Sequence, residues 1–170
     1  KDKSQYQPHR AHCTLKIPEG IKQTLEPIEI TNPGKYLVLS DIHVPYHDRG
    51  ALELALQKGI DERCEHVYIN GDFYDFYKVS HFDNDPAARD PDGELELGQP
   101  ILAEIAKHFP GDKYFKVGNH DARFEAYLAS HAAAVAGMKA FRLDNVLELD
   151  KLGYKNVANR QWAMLGQLAV

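Results

Sequence analysis

Three short segments of the chain carry side chains of the types that bind metal ions in proteins: Asp41-Ile42-His43, Gly71-Asp72 and Gly118-Asn119-His120-Asp121. Their carboxylate, amide and imidazole groups combine oxygen with nitrogen donors, a mixture that suits divalent cations of the Mn, Fe or Zn type. Two such ions held close together can stabilise both the attacking and the leaving oxygen of a phosphoryl displacement. The residue types therefore indicate metal-dependent chemistry on phosphorus.

Each segment directly follows a short apolar run, at residues 36–39, 66–69 and 114–117. Such runs, bounded by turn residues, predict buried strands. Open α/β sheets gather their functional side chains just past the C-terminal ends of parallel strands. We therefore expect the three segments to meet at one edge of a sheet.

Helices are predicted between these strands. Asp48 can cap a first helix, whose apolar residues over 52–60 follow one helical face, and residues 97–109 have the same periodicity. The polar residues 78–93 predict a long loop beside the site. The chain after Asp121 is predicted to be mainly helical until residues 167–170, which have the pattern of a further strand.

In this order, the three segments resemble the calcineurin-like metallophosphoesterases, whose pattern is D-x-H, G-D and G-N-H-D/E, each at a strand end, then a lone His and a G-H-x-H block. The resemblance covers residues 36–125. The sequence around the motifs is similar to that of small phage and prophage phosphoesterases. It implies the α/β class and a four-layer α/β/β/α sandwich, represented here by its N-terminal βαβαβ part. We expect this domain over residues 35–170, incomplete at the C-terminus, after an irregular N-terminal arm over residues 1–34.

The resemblance also implies a set of metal ligands. Asp41 and His43 would bind the first of two divalent ions, Asp72 would bridge both, and Asn119 would bind the second. Mn²⁺ is the expected metal, with Fe, Zn, Ni or Co as alternatives. The glycines before Asp72 and Asn119 are expected to allow tight strand-exit turns where a Cβ would crowd the backbone.

Three further residues have catalytic roles by resemblance. His120 would protonate the leaving alkoxide or stabilise its charge, since an imidazole with a pKa near ~6.5 suits this role. Asp121 would accept a hydrogen bond from the other ring nitrogen, or it is the N-cap of the following helix, or both. Arg123 would bind phosphate, or it is a solvated residue on a helix face. Asp75 could steady a histidine or a water, or it is only a polar residue of an aromatic turn.

The implied reaction is hydrolysis of a phosphate mono- or diester by attack of a metal-bridging hydroxide. The family includes protein phosphatases, nucleases and nucleotide hydrolases, so the fold does not determine which substrate is hydrolysed. The lone His and the G-H-x-H block have no counterpart, since the only His after residue 121 is His131. The alternative is therefore a catalytically incomplete domain that acts as a binding or scaffold module. We also expect the parent protein to continue with a His soon after Val170, and the second ion to be weakly held without it.

The composition limits the remaining function classes. A formal net charge of −5 does not indicate a nonspecific nucleic-acid binder, although a nucleic-acid substrate is compatible with it. No apolar run approaches the ~20 residues of a membrane span, so no membrane partner is expected. Cys13 and Cys64 are too few for a disulfide framework and fit the cytoplasm. The open sheet predicts an exposed apolar face and possible self-association.

Overall fold

The computed structural model describes residues 26–80, 90–166 and 168–169. The strands in these ranges are β1 (Ile28–Ile30), β2 (Tyr36–Leu39), β3 (His66–Asn70), β4 (Lys113–Lys116), β5 (Tyr154–Val157), β6 (Ala163–Leu165) and β7 (Leu168–Ala169). The α-helices are α1 (Arg49–Asp61), α2 (Pro91–His108), α3 (Arg123–His131), α4 (Ala133–Ala136), α5 (Leu143–Val146) and α6 (Leu149–Leu152).

The central element is a parallel sheet with the strand order β2-β3-β4-β5. Residues 66–69 of β3 are all buried, as expected for a parallel strand covered on both faces. Because all four strands run in one direction, the loops that follow β2, β3 and β4 leave the sheet at the same edge. This edge carries the three segments of interest.

Helices cover one face of this sheet. The helix α1 begins at its predicted cap, where the Asp48 carboxylate accepts a hydrogen bond from the backbone N–H of Ala51 at 2.9 Å. The helix α2 ends at His108, just before Pro110-Gly111. The apolar layer between helices and sheet includes Val67, Ile69, Phe115, Leu102, Ile105, Phe109, Leu143, Leu147 and Leu149.

A second, smaller sheet with the order β1-β6-β7 covers the opposite face. Its residues Ile30 and Ala163 belong to one buried cluster with Tyr68, Tyr114 and Val157 of the larger sheet. The side chains of β3 thus alternate, with Tyr68 toward the second sheet and its neighbours toward the helices. The α/β class with a parallel sheet is confirmed, and the layers are helices, sheet and sheet.

Several elements differ from the predictions. Residues 28–30, inside the segment interpreted as an irregular arm, form β1. The prediction of a mainly helical region after residue 121 is wrong for residues 154–157 and 163–165, which form β5 and β6. The helix α2 begins at Pro91, within the predicted loop 78–93. Residues 1–25 of the arm and 81–89 of the loop lie outside the described residues.

An open groove of about 430 Å³ lies between the two sheets at the β2 side. Val38 and Leu168 line it with 43% and 58% of their surface exposed. Such a surface supports self-association, which stays a prediction. Within the described ranges, no helix combines the length and the apolar character needed to cross a membrane.

Candidate metal centre

The loops after β2 and β3 run side by side and place the first two segments next to each other. The backbone N–H groups of Asp41 and His43 donate to the carbonyl oxygens of Gly71 and Asp72, at 3.2 and 3.0 Å. The N–H of Val44 donates to Phe73 at 2.8 Å. These bonds continue the parallel pairing of the strands beyond their ends, so Asp41, His43 and Asp72 share one edge.

Glycine residues permit the loop after β4 to approach the loop after β3 closely. A Cβ at Gly118 would lie 2.2 Å from Oδ1 and 2.3 Å from the backbone nitrogen of Asp72. Gly71, with φ +85°, lies so near that its Cβ would be 3.0 Å from the Cα of Gly118. The contact allows the N–H of His120 to donate to Asp72 Oδ1 at 2.8 Å. A side chain at either glycine would push the two loops apart.

The backbone at this edge is strained. Asp41, His43 and Asp72 have φ values of 56°, 52° and 52°, in the left-handed region. Non-glycine residues in sparsely populated backbone regions cost about 1–3 kcal/mol each and are found where the surrounding structure determines them, often at functional sites. The three residues predicted as ligands of an ion thus share an unfavourable conformation.

These three residues form a donor cluster. Single donor atoms of Asp41, His43 and Asp72 all lie within 4.8 Å of one another. Two carboxylates and an imidazole at this separation fit one divalent cation. Asn119 is exposed at the same edge, between Gly118 and His120, which both contact Asp72. Its role as a ligand of a second ion stays a prediction.

Asp75 is the common acceptor of the site. Its buried Oδ1 lies 2.5 Å from Nδ1 of His120, 3.3 Å from Nδ1 of His43 and 3.3 Å from Nη1 of Arg123. With Nδ1 of His43 bonded to Asp75, its Nε2 faces the Asp41 carboxylate, 3.9 Å from Oδ1. A carboxylate that orients a metal-binding imidazole through its second nitrogen is typical of metal sites.

His43, Asp75 and His120 also present donor atoms within 4.8 Å of one another. The Arg123 guanidinium contacts the same carboxylate and would repel a cation bound there. The cluster of Asp41, His43 and Asp72 is therefore the better candidate for an ion, and the group around Asp75 forms a hydrogen-bond network.

The predicted contact between Asp121 and His120 is wrong. Asp121 is fully buried, and its oxygens accept from the backbone N–H groups of Tyr74 at 2.8 Å and Gly118 at 2.9 Å. Its carboxylate thus ties the β3 and β4 loops together, and burial raises its pKa to about 6. Asp75 from the neighbouring loop bonds the His120 ring instead. The only local signal for Asp75 was its place in the Gly-Asp-x-x-Asp string.

Arg123 is part of the site and not a solvated residue of the helix surface. Its side chain is 17% exposed, and Nη1 donates to the carbonyl oxygen of Asp75 at 2.8 Å. Its Nη2 lies 3.2 Å from Nε2 of His120. Because a guanidinium only donates, this Nε2 accepts, and the proton of the neutral ring is on Nδ1 toward Asp75. Binding of phosphate by Arg123 stays a prediction.

Glu94 on α2 supports the turn that presents Asp75. The Glu94 side chain is almost fully buried, and its Oε2 accepts from the backbone N–H of Phe76 at 2.7 Å. Phe76 directly follows Asp75 and has a left-handed φ of 47°. Burial raises the pKa of Glu94 to about 7, although the backbone donor favours the carboxylate.

We expect the substitution Glu94→Gln to change how stability depends on pH. Because the pKa of Glu94 is raised in the fold from 4.5 to about 7, the folded chain binds more protons than the unfolded chain between these values. Stability therefore falls as the pH rises through this window. Glutamine cannot ionise and keeps an acceptor for Phe76, so the variant should gain about 3 kcal/mol relative to wild type between about pH 5 and pH 8.

The free energy of unfolding of wild type and variant, measured with denaturant at both pH values, gives this difference. The substitution Glu96→Gln, on the exposed side of the same helix, supplies the baseline for the loss of one charge from α2. An equal change with pH in the two variants would show that burial of Glu94 does not control this part of the stability.

Comparison with known proteins agrees with this geometry. Residues 34–167 match the model of the family described as calcineurin-like phosphoesterase. None of the curated proteins compared with the chain matches it. The match includes the three segments at the sheet edge, Asp75, His120 and Arg123. With more than half of its residues matched and the three segments of the family pattern brought together at one edge, the chain belongs to the calcineurin-like phosphoesterase family.

Proposed function

We propose that the chain is a metal-dependent phosphoesterase that hydrolyses a phosphate mono- or diester. The observation that carries this proposal is the position of the Asp41, His43 and Asp72 donor cluster next to His120 and Arg123. The rings of His43 and His120 are 4.4 Å apart. A phosphate held at the cluster would therefore have an imidazole and a guanidinium within reach.

The donor set supports the cofactor part of the proposal. Asp41 and His43 would hold one divalent ion, Asp72 would bind both of two ions, and Asn119 would complete the second position. Bound divalent ions supply Lewis-acid polarisation of phosphoryl oxygens and lower the pKa of water toward neutrality. Mixed carboxylate, amide and imidazole ligands favour Mn²⁺ and similar metals.

The residues of the chain itself have three tasks in this reaction. Arg123 would bind phosphoryl oxygens with its two terminal nitrogens. When Arg123 turns toward the phosphate, Nε2 of His120 loses its donor and can carry the proton that the leaving oxygen needs. Asp75 keeps the ring in position and stabilises its charged form through Nδ1.

The second candidate is a domain that binds a partner without catalysis. The observation that favours it is the ligand set, because the described donor cluster contains a single histidine, His43. Among the described residues, a second ion would depend on Asp72 and Asn119. Metal content per chain and turnover together separate the two candidates.

The test is a hydrolysis assay of the purified chain with Mn²⁺, using p-nitrophenyl phosphate as the monoester and bis-p-nitrophenyl phosphate as the diester. The expected result is turnover of one or both esters that stops with a chelator and returns with added Mn²⁺. Bound metal without turnover of either ester would favour the partner-binding candidate. Absence of bound metal would contradict the proposal directly.

Two broader expectations accompany the proposal. The location in the cytoplasm depends on the low cysteine content, and Cys64 is a free thiol. A nucleic-acid substrate would give an affinity that falls steeply with salt, whereas a small phosphate ester would not.

A further inference from the structure

Glu94 holds the backbone of the turn that carries Asp75. Glu94 is 1% exposed, and its Oε2 accepts a hydrogen bond from the backbone N–H of Phe76 at 2.7 Å. The preceding N–H, that of Asp75, donates to the carbonyl oxygen of Val44 at 3.0 Å. The two bonds fix the chain on both sides of Asp75, one from the loop after β2 and one from α2.

The conformation of this turn is unfavourable without such support. Phe76 has a φ of 47° and a ψ of 40°, in the left-handed region that bulky residues rarely adopt. Its ring is fully buried, with centroid distances of 5.2 Å to the Tyr74 ring and 5.7 Å to the Phe124 ring. Ring packing fixes the side chain, whereas the Glu94 carboxylate fixes the backbone N–H. A strained conformation persists only where the surrounding contacts determine it.

A close approach of α2 gives the Glu94 side chain its reach. Gly98 follows Glu94 by four residues, so both lie on one face of the helix. A Cβ at Gly98 would lie 2.2 Å from Cε1 of Tyr74, so α2 packs directly on the aromatic residues beside the turn. The acceptor for Phe76 is therefore held by a helix whose own position is set by close packing.

One peptide group connects Glu94 to the proposed active site. The peptide between Asp75 and Phe76 donates its N–H to Glu94. Its carbonyl oxygen accepts from Nη1 of Arg123 at 2.8 Å. Because a peptide group is planar, a rotation that moves the N–H also moves the carbonyl oxygen. The Asp75 carboxylate, which bonds His120 and Arg123, extends from the same residue. A change at Glu94 would therefore displace the acceptors of both side chains.

We infer that Glu94 is a positioning residue for the proposed reaction: it fixes the turn at Asp75 and thereby holds His120 in place to protonate the leaving oxygen. The inference rests on the proposed function, because it takes His120 as the proton donor to that oxygen. The N–H of Phe76 needs an acceptor at the right distance, which either a carboxylate or an amide supplies. The length and the acceptor atom of the side chain therefore matter for this role, and its charge does not.

The test compares phenyl phosphate with p-nitrophenyl phosphate at saturating Mn²⁺, or the corresponding diesters if the chain hydrolyses only diesters. Phenolate is the more basic leaving group, so its departure depends more on a correctly placed proton donor. Glu94→Met has a side chain of similar length without the oxygen acceptor. We expect this variant to lower kcat for phenyl phosphate by about 10²-fold, the effect of a misplacement of about 1 Å. The loss for p-nitrophenyl phosphate should be much smaller, and the bound metal per chain should stay that of wild type.

Further variants control this comparison. Glu94→Gln keeps the length of the side chain and an oxygen acceptor, so it should restore both rates. Glu96→Met, on the exposed side of α2, should change neither rate. If Glu94→Met does not fold, Glu94→Asp, which shortens the side chain by one methylene, is compared in its place.

The ratio of the two rates decides the inference. Equal losses for both esters in Glu94→Met would show a merely structural effect and overturn it, while metal-dependent hydrolysis stands. Rates in Glu94→Gln as low as those in Glu94→Met would also overturn it, because the charge rather than the acceptor would then matter. If wild type hydrolyses no ester, the proposed function fails, and NMR of the His120 ring decides the inference.

The NMR measurement does not depend on turnover. The Nδ1 proton of His120, assigned by its loss in His120→Ala, should be protected from exchange with water by the bond to Asp75. We expect this protection in wild type and in Glu94→Gln, and its loss in Glu94→Met. Equal protection in all three proteins, or none in wild type, would overturn the inference.

Discussion

The substitution Asp72→Ala is expected to remove bound metal and to lower kcat/KM by about 10³-fold or more. Asp72 lies between the loops after β2 and β4, and a donor atom of its carboxylate lies within 4.8 Å of those of Asp41 and His43. Loss of the metal would remove several kcal/mol of charge stabilisation from the transition state. Each ~1.4 kcal/mol of lost stabilisation lowers the rate tenfold. Elemental analysis of the dialysed protein and an ester assay with Mn²⁺ measure the two effects.

Two further variants make this result specific. Asp72→Asn keeps an oxygen atom that can accept the hydrogen bond from the backbone N–H of His120, which is 2.8 Å long in wild type. The variant removes the negative charge of the carboxylate. If metal binding depends on the charge, this variant should lose metal while its unfolding transition stays close to that of wild type. Asp61→Ala, at an exposed carboxylate of α1, should change neither property. Full metal occupancy in Asp72→Ala would contradict the assignment of the ion site.

The substitution His120→Ala is expected to keep the metal and to lower turnover by about 10²–10⁴-fold, the usual contribution of a general acid or base. His120 does not belong to the donor cluster of Asp41, His43 and Asp72. Its ring is held by Asp75 on one side and lies next to Arg123 on the other. Metal content and kcat are measured on the same preparation. Loss of metal in this variant would mean that His120 is a ligand.

Asp75→Asn provides a matched comparison, because Asp75 contacts both histidines. Removal of its charge should weaken metal binding through His43 by about 10–100-fold, the usual effect of a carboxylate behind a metal ligand. It should also lower turnover through His120 even when the metal is saturating. If Asp75→Asn at saturating Mn²⁺ turned over like wild type, Asp75 would have no part in positioning His120.

The sequence by itself determined strands β2, β3 and β4 and the segments that follow them. Short buried runs ended by Gly-Asp or Gly-Asn predict β3 and β4 correctly, because strand burial and turn chemistry are local properties. The cap of α1 at Asp48 and the end of α2 before Pro110 also follow from neighbouring residues alone. The meeting of Asp41, His43 and Asp72 then follows from one general rule, that parallel strands end at a common edge.

Strands β1, β5 and β6 could not be predicted in this way. They have three or four residues each, and β5 alternates poorly, with buried ends and two exposed residues between them. Such segments are extended because of their pairing with distant strands, such as β4 with β5 and β1 with β6. Pairing over this separation leaves little trace in the local pattern.

The assignment of Asp75 and Asp121 was decided only by the tertiary structure. Both carboxylates lie near His120 in the fold, and Asp121 is the neighbour in sequence, yet Asp75 bonds the ring. Adjacent residues of a tight turn direct their side chains differently, so Asp121 points inward to the backbone of Tyr74 and Gly118. Hydrogen-bond partners depend on direction and distance in space, which the residue order does not contain.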